Sequence, residues 1–254
     1  MIDALQPRAR SWRRGALFFL LLATLAALLT LGTWQVQRLA WKKDLIARTE
    51  ARVHAAPTAP PTAQAWAAEA EPGRRFEYQR VQAEGRWLHD KEVQVYASSV
   101  LGPGYWVMTP LRTAQGTIWI NRGYVPNAQR LPASRAQALP EGSVTVTGLL
   151  RLPEDGGLFV RENVPAEERW YHRDLAAMNA ARQLGDALPY FIDAGASPNP
   201  GGWPRGGLTI VQFRNNHLSY ALTWYALALL NVLALVLVAR SESRGARPRH
   251  DEED

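Results

Sequence analysis

The sequence contains no cysteine and only three methionines among 254 residues. Without thiols the chain cannot form disulfides, so any exported part depends on its own apolar core. Thiolates are also the ligands that select Cu(I), and they hold many zinc sites. The composition therefore argues against a copper carrier of the thiolate type, a cysteine-based zinc site and redox Cys-x-x-Cys chemistry. The three methionines are not clustered and do not replace the missing ligands.

Recognisable catalytic motifs are missing too. The sequence has no Gly-x-Ser-x-Gly, no phosphate-binding glycine loop and no His-Glu-x-x-His. Acidic residues such as Glu154 and Asp193 are plentiful, but no spacing pairs two of them for catalysis. The five histidines have no metal-ligand spacing. We therefore predict no catalytic residue and no protein-only metal site, and we expect that the protein is not an enzyme. A membrane-bound enzyme of unrecognised type is the weakest alternative.

Charge is unevenly distributed along the chain. The net charge is +6, and eight arginines flank two apolar runs near the two ends. No basic stripe with interleaved aromatic residues is present, so we do not expect nucleic acid as a partner.

The two apolar runs, residues 15–37 and 218–239, carry no charge. A membrane-spanning helix needs roughly 20 mainly apolar residues, so we predict transmembrane helices over 15–37 and 217–239. A cleaved signal peptide is the alternative for the first run. That run is longer than the usual apolar region of an export signal, and no small-x-small cleavage site follows it.

Arginines precede the first run and follow the second, which is the positive-inside pattern. We expect cytoplasmic tails at 1–14 and 240–254 and a periplasmic domain over 38–216. This topology predicts a multi-pass protein of the bacterial cell (inner) membrane, or its organellar equivalent, in contact with membrane lipid. Trp34, Arg38 and Trp41 continue the helical spacing, which predicts a helix to about residue 53 with Arg38 able to stack on the tryptophans.

The middle of the chain is rich in β-branched and aromatic runs separated by turn residues. The predicted fold is an α+β membrane protein in which two transmembrane helices flank a mostly antiparallel, β-rich periplasmic domain with one helix. We expect a sandwich or partly open barrel, with the helix over 173–184. The predicted strands are 76–81, 92–96, 105–111, 117–124, 144–150, 190–193 and 208–211.

His217 differs from the other histidines because it opens the second apolar run within a polar and aromatic stretch. An ionisable residue at a membrane helix is a functional hypothesis by default, and an imidazole there could be an axial ligand of haem iron. The alternative is an interfacial histidine that caps the helix or contacts lipid headgroups. The residues by themselves leave both interpretations open.

Short motifs along nearly the whole chain, from about Trp34 to Tyr225, resemble the surfeit-locus family of cytochrome c oxidase assembly proteins. They occur in the family's order and with its two-span topology. The matching motifs are Leu31-Gly32-Thr33-Trp34-Gln35 with Arg38, Gly104-Tyr105, Thr109-Pro110-Leu111, Asn121-Arg122-Gly123-Tyr124-Val125-Pro126, Asn163-Val164-Pro165, Trp170-Tyr171 with Asp174, Pro189-Tyr190, Asn216-His217-Leu218 and the run Tyr220-Ala221-Leu222-Thr223-Trp224-Tyr225.

This resemblance implies a non-enzymatic assembly factor for a haem-copper terminal oxidase. It implies that the protein binds haem a and helps to insert it into the oxidase catalytic subunit, with His217 matching the family's haem-associated histidine. We expect the macrocycle to lie between the outer halves of the two spans, against Trp224 or Trp34. The alternative function is a membrane scaffold that stabilises an oxidase assembly intermediate without binding haem.

Overall fold

The computed structural model describes residues 6–157, 161–211 and 213–245. The chain divides into two compact units. The first contains the residues up to Ala47 and those from Gln212 onward, and the second is Arg48–Val211. Long helices form the first unit, and a six-stranded sheet forms the second.

The two long helices are α1 (Gln6–His54) and α5 (His217–Gly245). Their segments Gly15–His54 and His217–Ser241 are long and apolar enough to cross a membrane, which supports a membrane protein. The helix expected to continue to about residue 53 ends at His54. The boundaries 15–37 and 217–239 within these helices stay predictions.

The described residues of the second unit form six strands and three further α-helices. The strands are β1 (Arg80–Trp87), β2 (Val93–Ser99), β3 (Gly102–Thr113), β4 (Gly116–Pro126), β5 (Ser143–Arg151) and β6 (Ala187–Ala194). The helices are α2 (Ala63–Ala67), α3 (Pro72–Phe76) and α4 (Leu175–Arg182). The single predicted helix corresponds to α4. The prediction missed α2 and α3 because five residues are too few for a helical period to show.

The sheet order is β1-β5-β6-β4-β3-β2. All neighbouring pairs are antiparallel except β4 and β6, which pair in parallel. The end of β1 also pairs with β3, where Arg86 lies opposite Arg112 and Trp87 opposite Leu111. This additional pairing curls the sheet into a barrel. Because only one pair of strands is parallel, the prediction of a mostly antiparallel sheet is confirmed.

The central strands β4 and β6 are covered on both faces. Ile118 and Ile120 of β4 belong to one apolar cluster, while Trp119 belongs to a second with Phe191 of β6 and residues of α4. Burial on both faces explains why Ile118, Trp119 and Ile120 are apolar in succession instead of alternating with polar residues.

The bounds of α4 follow from its two caps. The side chain of Asp174 accepts a hydrogen bond from the Ala177 backbone N–H at 3.0 Å, which satisfies one of the free donors of the first turn. Gln183 ends the helix in the left-handed conformation at φ 55°. The observed helix is therefore shorter at both ends than the predicted range 173–184.

Two predicted strands differ from the structure. The strand expected over 76–81 begins only at Arg80, because α3 includes Phe76 and Tyr78 has φ 64°, which interrupts an extended run. The strand expected over 208–211 is an irregular segment in which Thr209 donates to Asp193 through its side chain. The residue types favoured strand pairing in both places. A backbone turn at Tyr78 interrupts the first segment, and a side-chain hydrogen bond holds the second.

Candidate functional site

Helices α1 and α5 contact each other and run antiparallel. Gln35 of α1 meets His217, and Thr33, nearer the start of α1, meets Tyr225, farther along α5. On each helix the residues that are at least partly buried recur every three or four positions, which marks one face. This seam consists of Leu21, Leu25, Leu28, Gly32 and Gln35 on α1, and of His217, Ala221, Trp224, Ala228 and Asn231 on α5.

One polar contact between the two helices joins His217 to Gln35. The imidazole Nδ1 lies 2.7 Å from the Gln35 amide Oε1, and Gln35 is only 8% exposed. A carbonyl oxygen only accepts hydrogen bonds, so Nδ1–H donates this bond, and in a neutral imidazole Nδ1 is therefore the protonated nitrogen. Nε2 then keeps its lone pair, which is the form in which a histidine binds iron.

The two helices also pack closely at Gly32, against the ring of Tyr225. A Cβ atom at this position would lie 2.9 Å from Cε1 of the Tyr225 ring, so glycine is what allows the ring to rest on α1. The Tyr225 hydroxyl lies 3.3 Å from Thr33 Oγ1. The helices are therefore in contact both where Gln35 meets His217 and where Gly32 meets Tyr225. The haem macrocycle that was expected between them would have to separate the helices or bind on the outside of the pair.

The two tryptophans of the predicted site have different environments. Trp224 is partly buried and lies seven residues after His217, on the same face of α5. Trp34 is 52% exposed and directly precedes Gln35, which places it outside the seam. The structure therefore groups His217 and Trp224 on the seam and leaves Trp34 on the surface of α1.

Sequence reasoning missed Gln35 as a site residue, although its motif carried part of the family resemblance. Helical spacing could have indicated it. Leu25, Leu28 and Gly32 precede Gln35 at intervals of three and four residues, so Gln35 is a polar amide on the apolar face of the helix. The predicted stacking of Arg38 is confirmed for Trp41, whose ring centre lies 3.9 Å from the guanidinium carbon.

In the second unit, Asp193 is the centre of a buried polar cluster at the end of β6. Its Oδ1 accepts from the Asn121 amide at 2.8 Å and from the Arg173 guanidinium at 3.2 Å. Its Oδ2 accepts from the Thr209 hydroxyl at 2.9 Å and from Arg151 at 3.5 Å. These groups line a cavity of about 250 Å³. The cluster ties β4, β5 and β6 to the irregular segment that contains Thr209.

Arg173 of this cluster also forms an ion pair with Glu154. Burial by itself would raise the pKa of Glu154, but the hydrogen bond and charge of Arg173 outweigh it and lower that pKa. Burial likewise opposes the charge of Arg173, whereas Glu154 and Asp193 together raise its pKa. The two acids that lacked any pairing signal in the sequence are thus partners of one arginine.

A second buried charge cluster contains Glu92 and Arg135, which form an ion pair inside the domain. Arg122 is nearby, with its guanidinium carbon 5.0 Å from the centre of the Trp87 ring. Burial lowers the pKa of Arg122 to about 10, with Glu92 partly opposing the change, so the group is a cation at neutral pH. Among the described residues, no group of three or more His, Cys, Asp or Glu side chains could hold a metal ion.

Comparison with known proteins matches residues 22–229 to the SURF1 family. The SURF1-like protein of Monosiga brevicollis is 38% identical over 246 residues, which cover 91% of both chains. The chain belongs to the SURF1 family. Surfeit locus protein 1 of Homo sapiens is 39% identical over 216 residues, 78% of this chain and 69% of that protein. The Rattus norvegicus protein of the same name is 38% identical over 214 residues, 78% of this chain and 67% of that protein.

The SURF1 family match contains Gln35, His217 and Trp224 as well as all six strands of the second unit. The surfeit-locus resemblance inferred from the short motifs is therefore confirmed. Membership by itself assigns no role to a single side chain, so the role of His217 depends on its geometry and on direct tests.

Proposed function

We propose that this SURF1 family protein is a non-enzymatic, membrane-anchored assembly factor for a haem-copper terminal oxidase, cytochrome c oxidase. It binds haem a as cargo and aids its insertion into the oxidase catalytic subunit. Family membership supports the assembly role, and the two apolar helices support the membrane anchor. Both tails would be cytoplasmic and the β-rich domain would lie across the membrane, in a bacterial inner membrane or its organellar equivalent.

The observation that carries the haem assignment is the state of His217. Its Nδ1 is occupied by the Gln35 carbonyl, and no hydrogen bond of Nε2 is found among the described residues, which leaves a lone pair at the end of an apolar helix. Neutral imidazole with one nitrogen donating and the other free is the arrangement of a histidine that binds a metal centre. His217 would therefore hold the haem iron through Nε2.

The surrounding residues suit a carrier that must release its cargo. The seam is closed by Gly32 and Tyr225, so we place the macrocycle on the outside of the helix pair. There the apolar side chains of both helices would shield one of its faces from water. Trp34, exposed beside Gln35, offers a flat ring for that contact. With a single axial histidine, transfer to the client requires the exchange of one axial bond.

The test is the absorbance spectrum of the detergent-purified protein, expressed in cells able to make haem a. His217→Ala is compared with the parent and with His54→Ala, a control at the exposed end of α1. We expect a haem band in the parent and in His54→Ala, and its loss in a His217→Ala protein that still inserts and folds. Trp34→Leu should weaken haem retention without abolishing it. A His217→Ala protein with a full haem complement would contradict the assignment.

A scaffold that binds no haem is the second candidate, and one observation favours it. The hydrogen bond between His217 and Gln35 also ties α1 to α5, which is what a purely structural seam requires. A scaffold predicts no haem band in the parent or in His217→Ala. It also predicts that an oxidase subunit co-purifies with the parent, and that less of this subunit co-purifies when the contact between α1 and α5 is disrupted.

A further inference from the structure

We infer that Gln35 is the positioning residue of the haem site, acting through His217. By accepting the Nδ1 proton, Gln35 holds the imidazole in one tautomer and one ring orientation, with Nε2 directed away from the bond. This inference deepens the proposed function and depends on it.

The location of Gln35 is not explained by packing. Its neighbours in the seam on α1 are Leu25, Leu28 and Gly32, and a leucine would fill the same position in an apolar helix pair. A buried amide costs free energy unless it is hydrogen-bonded. The described partner of Gln35 is the His217 ring at 2.7 Å. The amide is therefore placed for that bond.

The bond selects between two states of the ring. A neutral imidazole carries its proton on either nitrogen, and only the Nδ1–H form leaves Nε2 able to bind iron. Gln35 is 8% exposed, so water does not compete strongly for its carbonyl, and the hydrogen bond is stronger than it would be at the surface. Without this acceptor, the ring would divide between its tautomers and could rotate.

The same bond affects the electronic character of the ligand. A hydrogen bond accepted from Nδ1–H makes Nε2 more basic, and loss of such a partner typically lowers metal affinity by about 10–100-fold. A carboxylate accepts more strongly than an amide. The series Gln35→Glu, parent and Gln35→Leu should therefore show decreasing basicity of Nε2, and a rising haem midpoint potential.

The experiment uses the full chain in lipid nanodiscs, with Gln37→Leu as the matched control. Gln37 is an exposed amide on the same helix two residues away, so its replacement changes the composition identically without touching His217. Circular dichroism and gel filtration check that each variant is folded. Gln35→Leu adds an apolar residue to an apolar seam and should keep the helices paired.

The first readout requires no haem. Nitrogen-15 NMR of labelled histidine, at a pH of about 8.5 where imidazole is ordinarily neutral, reports which ring nitrogen of His217 carries the proton. The signal is identified by its loss in His217→Ala. We expect the proton on Nδ1 in the parent, in Gln37→Leu and in Gln35→Glu, and a mixture of tautomers in Gln35→Leu. A parent ring protonated on Nε2 would overturn the inference.

The second readout is haem a titration followed by redox potentiometry. Gln35→Leu should bind about 10–100-fold more weakly than the parent, while Gln35→Glu should keep the affinity and lower the midpoint potential. Equal affinity and potential in the parent and Gln35→Leu would overturn the role of Gln35 and leave the proposed function intact. If the parent binds no haem, the proposed function and this inference both fail.

Discussion

At the scale of single residues, several acids of the second unit form ion pairs with arginines. Arg173 pairs with Glu154 and Asp193, and Arg135 pairs with Glu92. Removing one member of a buried pair leaves the other charge without compensation, which is why such pairs are costly to break. The acids are thus occupied by ion pairs, and the residue-level chemistry proposed for the protein rests on His217 and Gln35.

The ion pair between Glu154 and Arg173 predicts a pH dependence of stability. The pKa of Glu154 is below that of an ordinary glutamate in the folded protein, because Arg173 outweighs the effect of burial. A depressed carboxylate pKa stabilises the fold fully above the unfolded value, and this contribution is lost as the pH falls through the folded pKa. The parent should therefore lose stability below about pH 4.5 more steeply than Glu154→Gln does.

Urea unfolding of the full chain in detergent, followed by tryptophan fluorescence from pH 7 to about pH 3, measures this difference. Glu141→Gln, which removes an exposed loop acid, is the control and should follow the parent. A stability difference between the parent and Glu154→Gln that stays constant over this range would contradict the prediction.

At the scale of secondary-structure elements, barrel closure depends on a close approach between β1 and β3. Gly85 of β1 lies against the β3 backbone, where a Cβ atom would overlap the Arg112 carbonyl oxygen and lie 2.9 Å from its carbonyl carbon. Glycine is therefore required here for space, at the residue before the paired positions Arg86 and Trp87. The strand predicted over 76–81 shares only Arg80 and Val81 with β1, and nothing in the sequence indicated this crossing.

Gly85→Ala should destabilise the domain, because the backbone of either β1 or β3 must move to admit a methyl group. Overpacking of this kind typically costs about 1–3 kcal/mol. Gly185→Ala is the matched control, since a Cβ atom at Gly185 would have nothing within 4 Å. The measurement is the free energy of unfolding in urea. Equal stability of the two variants would show that β1 and β3 do not approach as described.

At the scale of the whole molecule, the two apolar helices and their flanking arginines predict which parts of the chain lie on the same side of the membrane. Residues 1–14 are expected in the cytoplasm, and the β-rich second unit is expected on the opposite side. Because the chain has no cysteine, a single introduced thiol reports its own location without background.

Trp12→Cys and Val100→Cys test this topology, since the native side chains are 77% and 76% exposed. In intact spheroplasts, a membrane-impermeant maleimide should label Val100→Cys and leave Trp12→Cys unlabelled until detergent is added. Equal exposure of the two native side chains makes the pair a matched comparison. The reverse pattern, or labelling of both before detergent, would contradict the predicted orientation.

The sequence by itself determined the two apolar helices, most of the strands, the family and the candidate ligand His217. Each of these depends on local composition, on periodicity or on short motifs, which a single chain displays directly. The predictions failed where a local conformation overrides residue preference, as at Tyr78 with φ 64°. They also failed where a segment is too short to show a period, as in α2 and α3.

Only the tertiary structure decided which distant residues meet. Gln35 and His217 are separated by 182 positions, and nothing in either segment indicates that one accepts the proton of the other. The crossing of β1 onto β3 and the sharing of Arg173 by Glu154 and Asp193 are of the same kind. Such pairings depend on how whole elements pack and on the space that glycine leaves between them. They become visible only when the chain is folded.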